Sequence, residues 1–291
     1  MTDNAALRIL VPLDGTPLSQ QALPYAQALA VTPADVILLE VLPEPEPQRG
    51  LLGNVTMSAA AVGDHASVSA RAALETVADR IREEKPSANV EVALVTGHSA
   101  DQILRVARAL KIDLIVMATY SRNAVSRLVL GSVTDQIVKS ADIPVVVVRL
   151  WDAVDGLGVV SLHRLVVPLD GSELATTALP MTERLAHQLA LPVHLVTVGD
   201  ERRAEVPRRI ERQRASLDGR GIQVTTEILS GAPAHAIAEA LRPSDLVVMA
   251  SHHRAGLTAW LLRGVAERLI DHGRCPVLLT PAAPNAATPQ T

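Results

Sequence analysis

Along the chain, short apolar runs alternate with longer segments in which apolar residues recur every three or four positions. The runs Arg8–Leu13, Val36–Val41, Val90–Val95, Leu114–Ala118 and Val145–Val148 are rich in Val, Ile and Leu. They read as continuous rather than alternating, as strands covered on both faces of a parallel sheet do. Between them the spacing predicts helices over Leu18–Ala30, Ser67–Glu84, Ala100–Leu110 and Val133–Ser140. In the third, Ile103, Leu104, Ala107 and Leu110 share one helical face while Asp101 and Arg105 lie on others. Strands joined by helical crossovers predict a doubly wound, open α/β sheet. In such sheets ligands sit beyond the carboxyl ends of the strands.

The pattern occurs twice. Residues 7–15 (Leu-Arg-Ile-Leu-Val-Pro-Leu-Asp-Gly) match residues 163–171 (His-Arg-Leu-Val-Val-Pro-Leu-Asp-Gly), and Ala22-Leu23-Pro24 matches Ala178-Leu179-Pro180. Asp113–Thr119 matches Asp245–Ser251, and Ile143–Val148 matches Cys275–Thr280. The offset falls from 156 residues to 132, mostly because the second copy lacks the equivalent of residues 43–66. That insertion, Pro-Glu-Pro-Glu-Pro followed by Gly, Asn, Ser and Ala, reads as an extended or mobile excursion: a variable surface loop or a lid. The expected organisation is a first domain over 1–150, a linker over 151–162, a second domain over 163–280 and a disordered tail over 281–291.

Composition narrows the function classes. Of 291 residues only Tyr25, Tyr120, Trp151 and Trp260 are aromatic, too few for the stacking platforms of single-strand nucleic-acid binding. The net charge of -4 is not the basic footprint of a DNA binder. Cys275 is the one cysteine, which excludes an internal disulfide and a CxxC motif. No apolar run reaches the length of a membrane span and no signal sequence is evident at the start, so a cytoplasmic location is expected.

Two segments per copy carry polar residues at strand ends. Pro12-Leu13-Asp14-Gly15-Thr16 is matched by Pro168-Leu169-Asp170-Gly171-Ser172. An Asp there accepts a ribose hydroxyl, helps hold a cation, or caps the following helix. The second segment is Ala118-Thr119-Tyr120-Ser121, nine residues, then Gly131-Ser132-Val133-Thr134. Gly-Ser opening a helix is a phosphate cradle or a glycine turn with a serine cap.

Together these motifs resemble the universal stress protein family, and the resemblance covers residues 7 to 280. It implies two tandem domains of the adenine-nucleotide α-hydrolase-like α/β class. It further implies adenine near Val41, ribose near Asp14, and phosphates on the amides around Gly131, Ser132, Val133 and Thr134, with Pro12, Leu13 and Met117 lining the site. ATP, with Mg²⁺, is the implied ligand. Nucleotide-binding members carry Gly-x-x-Gly, nine residues, then Gly-Ser or Gly-Thr. Here Ala118 and Ser121 replace the first two glycines, and Ser121 is costly if its φ must be positive. The second copy reads Ala250-Ser251-His252-His253, then Arg263-Gly264-Val265, and keeps no signature glycine at its position. A degenerate second site follows.

Other candidates have plain explanations. His252 and His253 lack a third ligand at zinc spacing, and His98 and His235 are ordinary loop or helix-start residues. There is no Gly-x-Ser-x-Gly elbow and no Walker lysine, so catalysis beyond slow ATP hydrolysis is not expected. Arg202, Arg203, Arg208, Arg209, Arg212 and Arg214, interleaved with Glu201, Glu205 and Glu211, read as a solvated helix. The apolar last strands invite edge pairing; by resemblance, the copies form an intramolecular pseudo-dimer through these strands, and a homodimer of whole chains stays open. Two functions stay open: stress-linked regulation through adenine nucleotide at the first copy, or a scaffold acting through contacts with a signalling protein.

Overall fold

A computed structural model describes residues 6–31, 34–46, 48–49, 55–119, 131–149, 159–199, 205–251, 260–272 and 274–282. Tyr120, Ser121, His252, His253, most of the expected linker and nearly all of the tail lie outside them. The chain packs as two compact units, residues 6–118 and the residues from Thr119 onward.

In the first unit, strands β1 (Arg8–Leu13), β2 (Ala34–Leu42), β5 (Ala88–Thr96) and β6 (Leu114–Thr119) form a parallel sheet in the order β6-β1-β2-β5. Ile9, Leu10, Val11, Leu38, Leu39, Leu114, Ile115 and Val116 are buried within it. This two-sided burial is what the continuous apolar runs encode. Where a helix is expected over Leu18–Ala30, the chain makes a 3-10 turn at Ser19–Ala22 and then α1 (Leu23–Leu29). Pro24 is the reason: it has no N–H to continue a helix through Gln20, but it fits the first turn of a new one.

The described part of the insertion includes regular structure. Strands β3 (Gln48–Arg49) and β4 (Val55–Met57) pair antiparallel. From Ala59 the insertion is already part of α2 (Ala59–Glu84), eight residues earlier than expected. Ala59, Ala60 and Ala61 are strong helix formers, and Ser58 caps them by accepting the Ala61 N–H at 3.2 Å. Helix α3 (Ser99–Ala109) buries Ile103, Leu104 and Ala107, as its periodicity predicts.

The second unit holds α4 (Ser132–Ser140) and β7 (Val145–Arg149) from the first copy, and all described elements of the second. These are β8 (Arg164–Pro168), α5 (Glu173–Thr176), α6 (Leu179–Leu189), β9 (Val193–Val198), α7 (Glu205–Asp218), β10 (Val224–Leu229), α8 (Pro233–Ala240), β11 (Asp245–Ser251), α9 (Trp260–His272) and β12 (Val277–Pro281). Strands run parallel in the order β10-β9-β8-β11-β12. Strand β7 joins antiparallel to β12, with Val147 facing Val277 and Val145 facing Leu279. Arg149 at the end of β7 also pairs with Asp271 of α9.

The repeated Arg and Asp of the two copies are framework residues. Arg164 donates through Nε to Asp245 Oδ1 at 2.7 Å and through Nη2 to Oδ2 at 2.9 Å. Asp245 is fully buried and also accepts the Arg242 N–H at 2.7 Å. In the first copy the Arg8 N–H donates to Asp113 Oδ2 at 2.9 Å.

Candidate functional site

In the first unit, Leu13 of β1 faces Glu40 of β2. Asp14 and Val41 therefore emerge at adjoining carboxyl ends of parallel strands. Leu13 is buried and Pro12 half-buried, while Met117 is buried on β6. Asp14 does not cap a helix. Its Oδ1 accepts the Thr16 N–H at 3.0 Å and the Thr16 hydroxyl at 2.6 Å, and its own N–H donates to Ser19 Oγ at 3.2 Å. This is a self-contained Asx turn. Partial burial pushes the Asp14 carboxyl up, but the Thr16 and Ser19 side chains and the backbone amides outweigh it and hold it below its ordinary value. Glu40 is its counterpart: burial first, and then the charge of Asp14, raise its pKa.

The insertion borders this edge. Leu42, Pro43, Glu44, Pro45, Gly63 and Thr96 are among the residues lining a cavity of about 540 Å³ at the ends of β2 and β5. A Cβ at Gly63 would stand 3.1 Å from Pro45 Cγ, so the Pro-Glu strap lies directly on α2.

Gly131, Ser132, Val133 and Thr134 belong to the second unit. Gly131 itself is the cap of α4, with φ -46° and ψ 146°, and no side chain caps the helix; Ser132 is its first residue. Gly131 C=O accepts the Asp135 N–H at 2.9 Å, and Gly131 N–H donates to Thr119 Oγ1 at 3.3 Å. Thus the reading of Gly-Ser as a glycine turn with a serine cap does not hold. The amides of Ser132, Val133 and Thr134 head the helix at the positive end of its dipole. A Cβ built on Gly131 meets, among the described residues, only Thr119 Oγ1 at 3.9 Å, which is ordinary contact. Neither torsion nor packing against the described residues demands glycine there.

The second repeat differs at both places. Arg263 and Gly264, the counterparts of Gly131 and Ser132, stand inside α9, which has already begun at Trp260. The amides that head a helix in the first copy are interior to one in the second. At the other end, Asp170 keeps the Asx turn: its Oδ1 accepts the Ser172 N–H at 2.9 Å and hydroxyl at 2.5 Å. Ser172 Oγ in turn caps α5 by accepting the Ala175 N–H at 3.1 Å. Beside this turn lies a cavity of about 360 Å³, lined among others by Asp170, Ser172, Glu173, Thr197, Arg209 and Arg212. Thr197 takes the register position that Glu40 holds in the first copy, one residue beyond the Pro168–Val196 pair.

Two arginines of the basic cluster therefore face a cavity, which the reading as a solvated helix did not anticipate. Arg214 does conform to that reading, pairing with Glu211 at 2.6 Å and Asp218 at 3.3 Å. Arg209 and Arg212 are three apart and share a face of α7. His98 and His235 make exposed pairings with Asp101 and Glu239, at 3.6 and 3.3 Å. Among the described residues no group of three or more His, Cys, Asp or Glu could hold a metal. No described helix is long and apolar enough to cross a membrane. Cys275 is buried, and burial pushes its thiol up to about 12, the charge of Asp245 adding to this and Arg164 opposing it.

Comparison with known proteins completes the picture. The sequence model of the universal stress protein family matches residues 6–149 and 200–281. A universal stress protein of Methanocaldococcus jannaschii is 27% identical over 136 residues, covering 40% of this chain and 80% of its own. One of Mycobacterium tuberculosis is 29% identical over 185 residues, covering 57% of this chain and 61% of its own. Among solved structures, a universal stress protein from Archaeoglobus fulgidus superposes with a TM-score of 0.72 at 20% identity, covering 97% of this chain and 100% of that one.

Proposed function

Since the chain belongs to the universal stress protein family, we propose that it is a stress-response regulator that binds adenine nucleotide, ATP, at its first repeat, with little or no turnover. The observation that carries this reading is Gly131: a glycine that caps α4 although backbone and described neighbours would accept a side chain. A missing Cβ that no described neighbour requires leaves room for a ligand to approach the helix amides. Asp14, held ionised by its Asx turn, offers the acceptor for ribose hydroxyls. Val41, at the adjoining strand end, offers its backbone to adenine. Ala118 is a small intrusion into the family's glycine pattern. Lys111 and Ala190 are the only non-glycine residues with positive φ among those described, so Ala118 adds a methyl and no torsional strain.

Magnesium would arrive on the phosphates. The described residues hold no carboxylate cluster for it, and a nucleotide-bound Mg²⁺ needs few protein ligands. Phosphoryl transfer would need a positioned base and a cation near the phosphates, and the sequence supplies no motif for them. The second repeat is read as degenerate for ATP, because α9 runs through the position of the cradle.

The test is to denature the chain, purified without added nucleotide, and chromatograph what is released, then titrate with ATP and Mg²⁺. About one nucleotide per chain is expected. Gly131→Ala and the double change Asp14→Ala with Ser132→Ala should abolish it, with Gly131→Ala leaving stability within about 0.5 kcal/mol. No released nucleotide together with no heat on titration would remove the reading and leave a scaffold that acts by protein contact.

A further inference from the structure

The 360 Å³ cavity of the second repeat has its charge arranged differently from the corresponding edge of the first repeat. In the first copy the residue beside the Asp-Gly turn is Glu40, whose Oε1 lies 3.7 Å from where a Gly15 Cβ would be. In the second copy Thr197 stands in that register position, and α7 lays Arg209 over the turn instead: Arg209 Nη1 lies 2.7 Å from where a Gly171 Cβ would be. Arg212, one helical turn on, lines the same cavity. An acidic edge has become a two-sided one, with Asp170 and Glu173 on the turn and two guanidiniums on the helix.

We propose that this cavity binds a small phosphorylated sugar, its phosphate on Arg209 and Arg212 and its hydroxyls on Asp170. Guanidinium forks match phosphate oxygens in geometry as well as charge. The carboxylate, with Oδ1 already fixed by Ser172, is a preorganised acceptor for hydroxyl donors. Ser172, Thr176, Thr197 and Gln213 add neutral hydrogen-bonding groups around it. The volume is at the small end of ligand cavities, which run from about 300 to 1,000 Å³, so it suits a sugar monophosphate. The phosphate is thereby taken from α7, where the first-repeat reading takes it from the head of α4. The inference does not rest on nucleotide binding at the first repeat.

Calorimetric titration of the full chain with ribose 5-phosphate, ribose and inorganic phosphate tests it. Ribose 5-phosphate is expected to bind at one site per chain, more tightly than either fragment alone, and more weakly as salt rises. Arg209→Gln with Arg212→Gln should weaken it by at least about tenfold, the loss of charge-assisted bonds to phosphate. Asp170→Asn should weaken ribose 5-phosphate and leave inorganic phosphate unchanged. Arg212→Gln alone, at an exposed position, keeps the test usable should the double variant unfold, and a thermal melt accompanies each variant. Gly131→Ala, in the other repeat, should leave this titration untouched, which separates the two sites. No heat with millimolar ribose 5-phosphate, or equal binding by the arginine variants, overturns the proposal. So does a free amino acid binding more tightly than the sugar phosphate.

Discussion

Asp14 and Glu40 are neighbouring carboxylates whose environments drive their titrations apart, and this has a measurable consequence for stability. The folded pKa of Asp14 lies below its ordinary value of 3.8, so its contribution to stability is present above that value and lost as pH falls through the folded one. Glu40 lies above its ordinary value of 4.5, so ionising it costs stability as pH rises from that value through the folded one, and the cost is complete above it. Glu40→Gln is therefore expected to raise stability at pH 7, by less than about 1 kcal/mol for a partly exposed group, and to leave it unchanged near pH 3. Urea denaturation at both pH values decides; a loss at pH 7 would mean that Glu40 makes a favourable contact. Asp14 was legible from the repeated Pro-Leu-Asp-Gly turn. Glu40 was not, because its proximity comes from the parallel register of β1 and β2, which no local pattern records. The repeated Arg and Asp of the two copies were legible as a match, but their mutual hydrogen bonds join strands roughly a hundred residues apart.

Among elements, local pattern was informative wherever burial set the period, and failed where single residues started or stopped a helix. Strand β1 falls where its apolar run predicts, and α3 within one residue. Pro24 divides the first helix, and Ser58 with three alanines starts α2 eight residues early. The same kind of detail separates the two repeats at the phosphate position. With glycine at 131 the helix starts after it; with arginine, a good helix former, at 263, the helix runs through. Cap chemistry thus decides both where α2 begins and which repeat sets these amides at the head of a helix. Ser58→Ala is expected to cost about 1 kcal/mol, the usual worth of a serine cap, read as a lower urea midpoint with an unchanged slope. A loss under a few tenths would show that the alanine run starts α2 without its cap.

For the molecule as a whole, the repeat boundary and the packing boundary do not coincide. Homology divides the sequence near residue 150, whereas compactness divides it at 118/119, with α4 and β7 grouped with the second copy. Strand β7 explains the difference. Its residues Val145–Val148 are buried and its edge is paired with β12, while Arg149 bonds Asp271, both largely buried. A chain cut after residue 150 keeps the apolar strand and loses its partner. An exposed, flat, apolar edge templates pairing with another strand, and here the nearest match is a second copy of itself, since β7 and β12 occupy equivalent places in the repeat. The fragment 1–150 is therefore expected to be dimeric by light scattering, with its strand and helix signals retained by circular dichroism. Adding the fragment 163–291 should displace that self-pairing and form a one-to-one complex, because only the native combination restores the Arg149–Asp271 pair. A folded, monomeric 1–150 fragment that ignores the second would show that the β7–β12 seam contributes little, and that each repeat holds together without the other.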